Sequence, residues 1–216
     1  MGGIAFFSSL LSLIYFGVLN SYFLLSIFSL PGLYNFGIFI CVGTLGIWIA
    51  SKLIRNEISV LIHELKHSII SNLVGNKAKG FMIRKDHGHF KYQYCPTKAH
   101  YNALIALAPY FLPLFTAPGL IMVYIILQKS FIYALCLLGF LWGIDFRLNT
   151  RDIAPYQSDF YNLNGGYKVG LIFTIAMNLT ITTLILSWVL DPAQGLKIIF
   201  LRHFETMQKI FYFFYD

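Results

Sequence analysis

The longest uncharged run in the sequence extends from Met1 to Ser51, and mostly apolar stretches recur along the rest of the chain. About 20 apolar residues are enough for a helix to cross the hydrocarbon core of a bilayer. Within that core every backbone polar group must find a partner inside the protein, so open sheet edges and irregular loops cannot face the lipid. The sequence therefore predicts an all-α membrane protein.

The number and placement of the charged residues also indicate a membrane protein. Only 12% of the residues are charged, whereas about 25% is typical of soluble domains. The formal net charge of +7 comes from Lys and Arg in short segments between apolar runs, which is typical of a membrane protein with basic loops on one side. We therefore predict a lipid bilayer as the surroundings and no nucleic-acid partner.

The apolar pattern predicts about five or six transmembrane helices in a single polytopic domain, residues 1–216. The predicted spans are about Ile4–Leu30, Leu33–Ile54, Lys98–Leu127, Phe131–Phe146 and Tyr167–Leu190. The first is longer than the apolar core of a signal peptide, so we expect it to be retained. A further helix, about Glu57–Val74, either continues the second span or stands apart from it. Pro109, Pro113 and Pro118 are expected to break the third span.

One segment departs from the helical pattern. Between Lys77 and Pro96 polar and apolar residues alternate on either side of Gly88. Alternation with a period of two is typical of strands with one buried face. We therefore predict one small β-hairpin over residues 77–96.

The bias in Lys and Arg predicts which side of the membrane these segments face. The hairpin and the loop expected from Arg147 to Gly166 are rich in basic residues, and two spans separate them, so they share a side. The connection between those two spans carries only Lys129. The bias therefore puts the hairpin and the loop in the cytoplasm, and we expect a multi-pass protein of the inner or plasma membrane of the cell.

The helix after the second span carries His63-Glu64-Leu65-Lys66-His67, which fits the pattern H-E-x-x-H. Histidines one helical turn apart share a face and can reach the same metal ion. The glutamate lies beside that face, where it can take a proton from a water at the ion and pass it to a leaving amine. Zn²⁺ suits such a site because it needs no redox partner. Charged and polar side chains are costly in an apolar helix, which favours a functional role.

A catalytic zinc site normally has three protein ligands and one open position, so this string lacks one ligand. Asp145 is expected to pair with Arg147, and Lys66 is expected to extend its long side chain to water. Asp152 and Asp159 remain as candidates for the third ligand. The residues themselves leave that choice open.

These features resemble the site-2 protease clan of intramembrane zinc metalloproteases, and its compact bacterial branch in particular. The resemblance covers residues from about Glu57 to Gly166. It rests on the H-E-x-x-H string, a hairpin with a central Gly88, Ala108-Pro109-Tyr110 before the next span, and Ser158-Asp159-Phe160. In that branch a Ser-Asp-Ala-like motif supplies the third ligand, which implies Asp159 here. In better-known members a Leu-Asp-Gly-Gly motif supplies it, and the nearest string here has Asn164 in place of the aspartate.

The resemblance implies a zinc-dependent metalloendopeptidase that hydrolyses peptide bonds of membrane-anchored proteins, with Glu64 as the catalytic base. The metal ligands would be His63, His67 and Asp159. The chain would divide into N-terminal spans (1–54), a metalloprotease core (55–166) and a last span with an interfacial tail (167–216). Two other classes stay open: a non-catalytic membrane scaffold or binding protein with a degenerate protease site, and an ion-coupled transporter. The substrate-binding residues and the oligomeric state are not predicted.

Overall fold

A computed structural model describes residues 32–83, 88–93, 102–161 and 165–191, together with residues 10, 11, 14, 97, 163, 194, 195, 197, 198, 201, 204, 205, 208 and 212. Within the continuous ranges the chain forms, in order, helices α1 (Leu33–Leu53) and α2 (Asn56–Leu73), strands β1 (Ala78–Ile83) and β2 (Gly88–Tyr92), helix α3 (Asn102–Leu107), a 3₁₀ turn (Ala108–Tyr110), and helices α4 (Thr116–Leu127), α5 (Phe131–Arg151), α6 (Ser158–Tyr161) and α7 (Gly166–Leu190). The prediction of a mostly helical chain with one small two-stranded sheet is confirmed.

Three helices of the described part are long and apolar enough to cross a membrane. They are α1, α5 and α7, with mean hydropathies of 1.8, 1.6 and 2.1. Helix α4 is apolar but has only 12 residues, and the predicted span Ile4–Leu30 falls outside the described residues apart from positions 10, 11 and 14. The described residues therefore support membrane association through three helices, and the predicted total of five or six spans is not confirmed.

The predicted third span, residues 98–127, is not one helix. Residues 111–115 separate the 3₁₀ turn from α4. Pro109 lies in the turn and Pro113 lies in the interruption, as expected for residues that have no N–H to donate. The expectation that Pro118 breaks the helix is wrong. It is the third residue of α4, where a backbone N–H would have no acceptor within the helix.

Helices α1 and α5 pack so closely that their backbones touch. Gly43 and Gly46 of α1 face Gly139 and Gly143 of α5. A Cβ atom added to Gly139 would lie 2.7 Å from the carbonyl oxygen of Phe39, and one added to Gly143 would overlap the carbonyl of Gly43. Small residues permit this contact between membrane helices, where association depends on van der Waals packing. The buried apolar core beside the contact contains Phe39, Val123, Ala134, Leu135, Leu138, Ile185, Leu186 and Val189.

Helix α5 continues past its predicted end at Phe146 and reaches Arg151. The polar residues of this last part predict a loop in the sequence, but two of them bond to neighbouring helices. Arg147 donates to the Ser51 hydroxyl of α1 at 2.8 Å, and Arg151 donates to the Asn56 side chain of α2. Because partners on other helices satisfy these side chains, the polar segment stays helical and the expected loop begins later.

Asp145 does not pair with Arg147, contrary to expectation. Its carboxylate accepts hydrogen bonds from the backbone N–H groups of Phe115 and Thr116 and from the Thr116 hydroxyl, at distances from 2.6 to 3.1 Å. These groups form the N-terminus of α4, whose first N–H groups have no acceptor within the helix. The expected pairing is absent because Asp145 is buried against α4, whereas Arg147 bonds to α1.

Strands β1 and β2 form the predicted hairpin, an antiparallel pair in which Phe81 is paired with Phe90 and Ile83 with Gly88. Residues 84–87 and 94–96 of the predicted range fall outside the described residues. Strand β2 lies against α2, which brings Gly88 and Phe90 close to the helix that carries the histidines.

Candidate metal centre

Helix α2 is separate from the membrane-length helix α1. The chain is extended at Ile54 and Arg55, and α2 begins at Asn56. His63 and His67 lie on one face of α2 with their ring centroids 5.0 Å apart, and their side chains are 18% and 8% exposed. The pair is therefore placed one turn apart, as the spacing predicts, in a largely buried position.

Asp159 approaches this pair from another part of the chain. It lies on α6, a helix of four residues in which the adjacent Phe160 is fully buried. Asp159 Oδ2 is 3.1 Å from Nε2 of His63 and 3.5 Å from Nε2 of His67. The three ligand atoms all lie within 4.8 Å of one another. The structure thus brings together the three residues predicted to bind the metal.

The distances from the Asp159 carboxylate to the two histidines fit a zinc ion. Two ligands that each lie about 2.1 Å from one tetrahedral ion are about 3.4 Å apart, and the two Asp159 distances of 3.1 and 3.5 Å are close to that separation. Burial alone would raise the pKa of the Asp159 carboxyl, but hydrogen bonds and positive charge from His63 and His67 hold that pKa well below its usual range. The two histidines therefore favour the ionised carboxylate, which is the form that binds metals.

A backbone carbonyl orients His67. Its Nδ1 donates to the carbonyl oxygen of Ile105 at 2.7 Å, and its ring stacks on Phe90 of β2 with centroids 5.9 Å apart. An imidazole whose Nδ1–H is held by a carbonyl presents Nε2 to a metal in a fixed direction. The site therefore has an outer hydrogen bond of the kind that metal-binding histidines usually have.

Glu64 is 5% exposed and lies against the hairpin. A Cβ atom added to Gly88 would lie 2.7 Å from both Cγ and Cδ of Glu64, and nearer still to Oε1. Gly88 is not among the described glycines with a positive φ, so this position needs glycine for space and not for its backbone conformation. The close approach of the hairpin backbone restricts where the Glu64 carboxylate can lie beside the predicted metal ligands.

The other two candidates for the third ligand are placed differently. Asp152 lines the same cavity, but its carboxylate lies 3.7 Å from Nε of Arg151 and it is not part of the His63, His67 and Asp159 cluster. Asn164 falls outside the described residues. Among the described candidates, Asp159 is the one whose carboxylate meets both histidines.

Lys66 does not extend to water, contrary to expectation. It is 1% exposed, and its Nζ donates to Asn149 Oδ1 at 2.6 Å and to the carbonyl oxygen of Pro109 at 3.4 Å. A buried cation needs such partners to offset the loss of water. The sequence does not reveal them, because Asn149 lies 83 positions away along the chain.

The sequence predicts no separate role for Tyr110. Its ring is 1% exposed and its hydroxyl donates to Asp159 Oδ2 at 2.9 Å. The only signal in the sequence is that Tyr110 belongs to a string that contributes to the site-2 protease resemblance. Nothing local to that string indicates a contact with Asp159.

A cavity of about 610 Å³ opens at this cluster, which is comparable to pockets that enclose drug-sized ligands. His63, Glu64, His67 and Asp159 all line it. A reacting group could therefore reach the predicted metal ligands and the Glu64 carboxylate from the same space.

The chain matches no protein-family model, no curated protein and no solved structure. The likeness to site-2 proteases therefore rests on the residues quoted above. The geometry of the site is independent of that likeness, because it consists of three ligand atoms, a buried carboxylate beside them and a cavity that exposes both.

Proposed function

We propose that the chain is an integral membrane zinc metalloprotease that hydrolyses peptide bonds of membrane-anchored proteins. The observation that carries the proposal is the meeting of Asp159 with His63 and His67, since the residues of the closest pair lie 96 positions apart in the sequence. A carboxylate and two histidines that converge from such distant segments, with Glu64 adjacent, form the donor set and base of a catalytic zinc site.

Each residue of the site has a distinct role in this proposal. His63, His67 and Asp159 hold the ion, and bound zinc supplies an electrophile that polarises the scissile carbonyl and acidifies water. Glu64 accepts a proton from the attacking water and then donates it to the leaving amine. The hairpin backbone at Gly88 lies against the Glu64 side chain, and in this proposal it keeps the carboxylate within reach of that water.

The substrate in this proposal is a protein anchored in the same membrane. Three apolar helices associate the enzyme with the bilayer. A substrate helix must unwind before its carbonyls can be attacked, because all of its backbone groups are otherwise bonded within the helix. Lys79 and Lys91 of the hairpin and Lys77 just before it are exposed, and the positive-inside rule then puts the active site towards the cytoplasm of the inner or plasma membrane.

The substitution Glu64→Gln tests this function because it keeps the shape of the side chain but removes the proton acceptor. We expect cleavage to fall by about 10²–10⁴-fold, the loss typical of a missing acid–base group. The measurement is the set of membrane-protein fragments in cells that produce the native chain or the variant.

Glu57→Gln is a matched control for the same change. Glu57 lies on the same helix, its side chain is 41% exposed, and it pairs with Arg55 at 3.8 Å away from the cavity. Native fragments from Glu64→Gln would refute the protease mechanism. Purified native chain without zinc above background would instead indicate a membrane scaffold or binding protein.

A further inference from the structure

We propose that Tyr110 is a positioning residue of the metal site, and that a buried to partly buried polar network fixes Tyr110 in turn. The proposal rests on the zinc site proposed above and adds to it a group that does not bind the metal. Its role is to hold the Asp159 carboxylate in the orientation that lets it bind the ion together with the two histidines.

Tyr110 is bonded and packed on both sides of the site. Its hydroxyl donates to Asp159 Oδ2 at 2.9 Å. Its ring meets the His63 ring edge to face, with centroids 5.4 Å apart, and packs on Phe160 with centroids 4.5 Å apart. The same side chain therefore touches one histidine, the third ligand and the residue next to that ligand.

Asp159 needs such support because of where it lies. Helix α6 has only four residues, too few for a helix to be stable by itself. In the structure Asp159 Oδ2 lies within reach of Nε2 of His63, Nε2 of His67 and the hydroxyl of Tyr110. Imidazole nitrogens that bind an ion cannot also donate to the carboxylate. Of these three groups, only the phenol can still donate to Asp159 once the ion is bound.

A chain of buried and partly buried hydrogen bonds holds the main chain at Tyr110. Its carbonyl oxygen accepts from Asn178 Nδ2 of α7 at 2.7 Å, and the carbonyl of Pro109 accepts from Lys66 Nζ of α2 at 3.4 Å. Asn149 of α5 joins the two donors: its Oδ1 accepts from Lys66 at 2.6 Å and its Nδ2 donates to Asn178 at 3.3 Å. Three helices thus converge on the 3₁₀ turn, which accounts for a lysine buried beside the metal ligands.

The substitution Tyr110→Phe removes the hydroxyl and keeps the ring. We expect the affinity for Zn²⁺ to fall by about 10–100-fold, the loss typical of an outer hydrogen bond to a metal ligand. The measurement is competition between the full-length chain in detergent and a chelator of known zinc affinity. Thermal unfolding of the metal-free chain should change little, since both aromatic contacts remain.

Tyr167→Phe is the matched control. Tyr167 also packs on Phe160, with centroids 5.4 Å apart, and it loses the same hydroxyl without a described contact to Asp159. Its zinc affinity should equal that of the native chain. Equal zinc affinities of Tyr110→Phe and Tyr167→Phe would overturn the proposal, and so would a fall in turnover without a fall in zinc affinity.

A double-mutant comparison tests whether Tyr110 acts through Asp159. In a chain that already carries Asp159→Ala, the further change Tyr110→Phe should leave the zinc affinity unchanged, because its hydrogen-bond acceptor is gone. If Tyr110→Phe lowers the zinc affinity equally with and without Asp159, the positioning role is overturned. The protease proposal would stay intact. Native chain that holds no zinc would remove the proposed function itself, so the two failures are distinguishable.

Discussion

Replacing Gly88 by alanine tests how the structure positions the proposed base. The added Cβ atom would lie 2.7 Å from Cγ and Cδ of Glu64, whereas nonbonded carbon atoms normally approach to about 3.5–4.0 Å. The overlap is therefore about 1 Å. Gly88 is paired with Ile83 across the hairpin, while the Glu64 side chain can rotate. We expect the carboxylate to move and the strand to stay.

A catalytic group that moves by about 1 Å can lose about 10²-fold in rate. We expect cleavage by Gly88→Ala to fall on this order, with a loss of stability of about 1–3 kcal/mol, typical of overpacking. None of the three proposed metal ligands is among the nearest atoms that the new Cβ would meet. The zinc content of the purified variant should therefore remain close to that of the native chain.

The assay compares the rate of fragment formation with the zinc content of the same preparation. Gly37→Ala is the matched control, because Gly37 is an exposed residue of α1 and an added Cβ would have no neighbour within 4 Å. Cleavage by folded, zinc-loaded Gly88→Ala at the rate of Gly37→Ala would show that the hairpin does not position the base. Loss of zinc together with activity would also refute the reasoning, since the clash would then reach the metal ligands.

Two further predictions concern the third ligand and the topology. Asp159→Ala should lose most of its zinc because an anionic ligand is removed. Asp152→Ala and Asn164→Ala should keep nearly one zinc per chain. Zinc loss in Asn164→Ala alone would instead assign the third ligand to the string that corresponds to the Leu-Asp-Gly-Gly motif. Single cysteines at the exposed positions Lys79 and Lys129 should be labelled from opposite sides of the membrane, and labelling of both from outside the cell would contradict the proposed orientation.

The boundaries of the apolar helices could be predicted where hydrophobicity changes abruptly along the sequence. Helix α1 begins at the predicted Leu33, and α7 begins at Gly166, one residue before its predicted start. The end of α5 could not be predicted in this way. Its polar residues Arg147 and Asn149 meet partners 96 and 83 positions earlier in the chain, and no local pattern shows that such partners exist.

The residues of the site also divide into those that local spacing predicts and those that it does not. The shared face of His63 and His67 follows from helical spacing alone, because residues four apart are neighbours on a helix. Asp159 was singled out by the family resemblance, since no rule of spacing connects it to a helix 96 positions earlier. The contacts of Tyr110 and the burial of Lys66 depend on how distant segments pack. They could be found only in the folded chain.

Helix α5 illustrates how little hydropathy constrains a membrane helix of this kind. A polyleucine helix of equal length would still be long enough to cross a bilayer. It would nevertheless lose Gly139 and Gly143 at the contact with α1, Asp145 at the N-terminus of α4, and Asn149 at the Lys66 side chain. An apolar character alone therefore does not preserve these contacts, and tolerance to substitution along α5 should follow its contacts and not its apolar character.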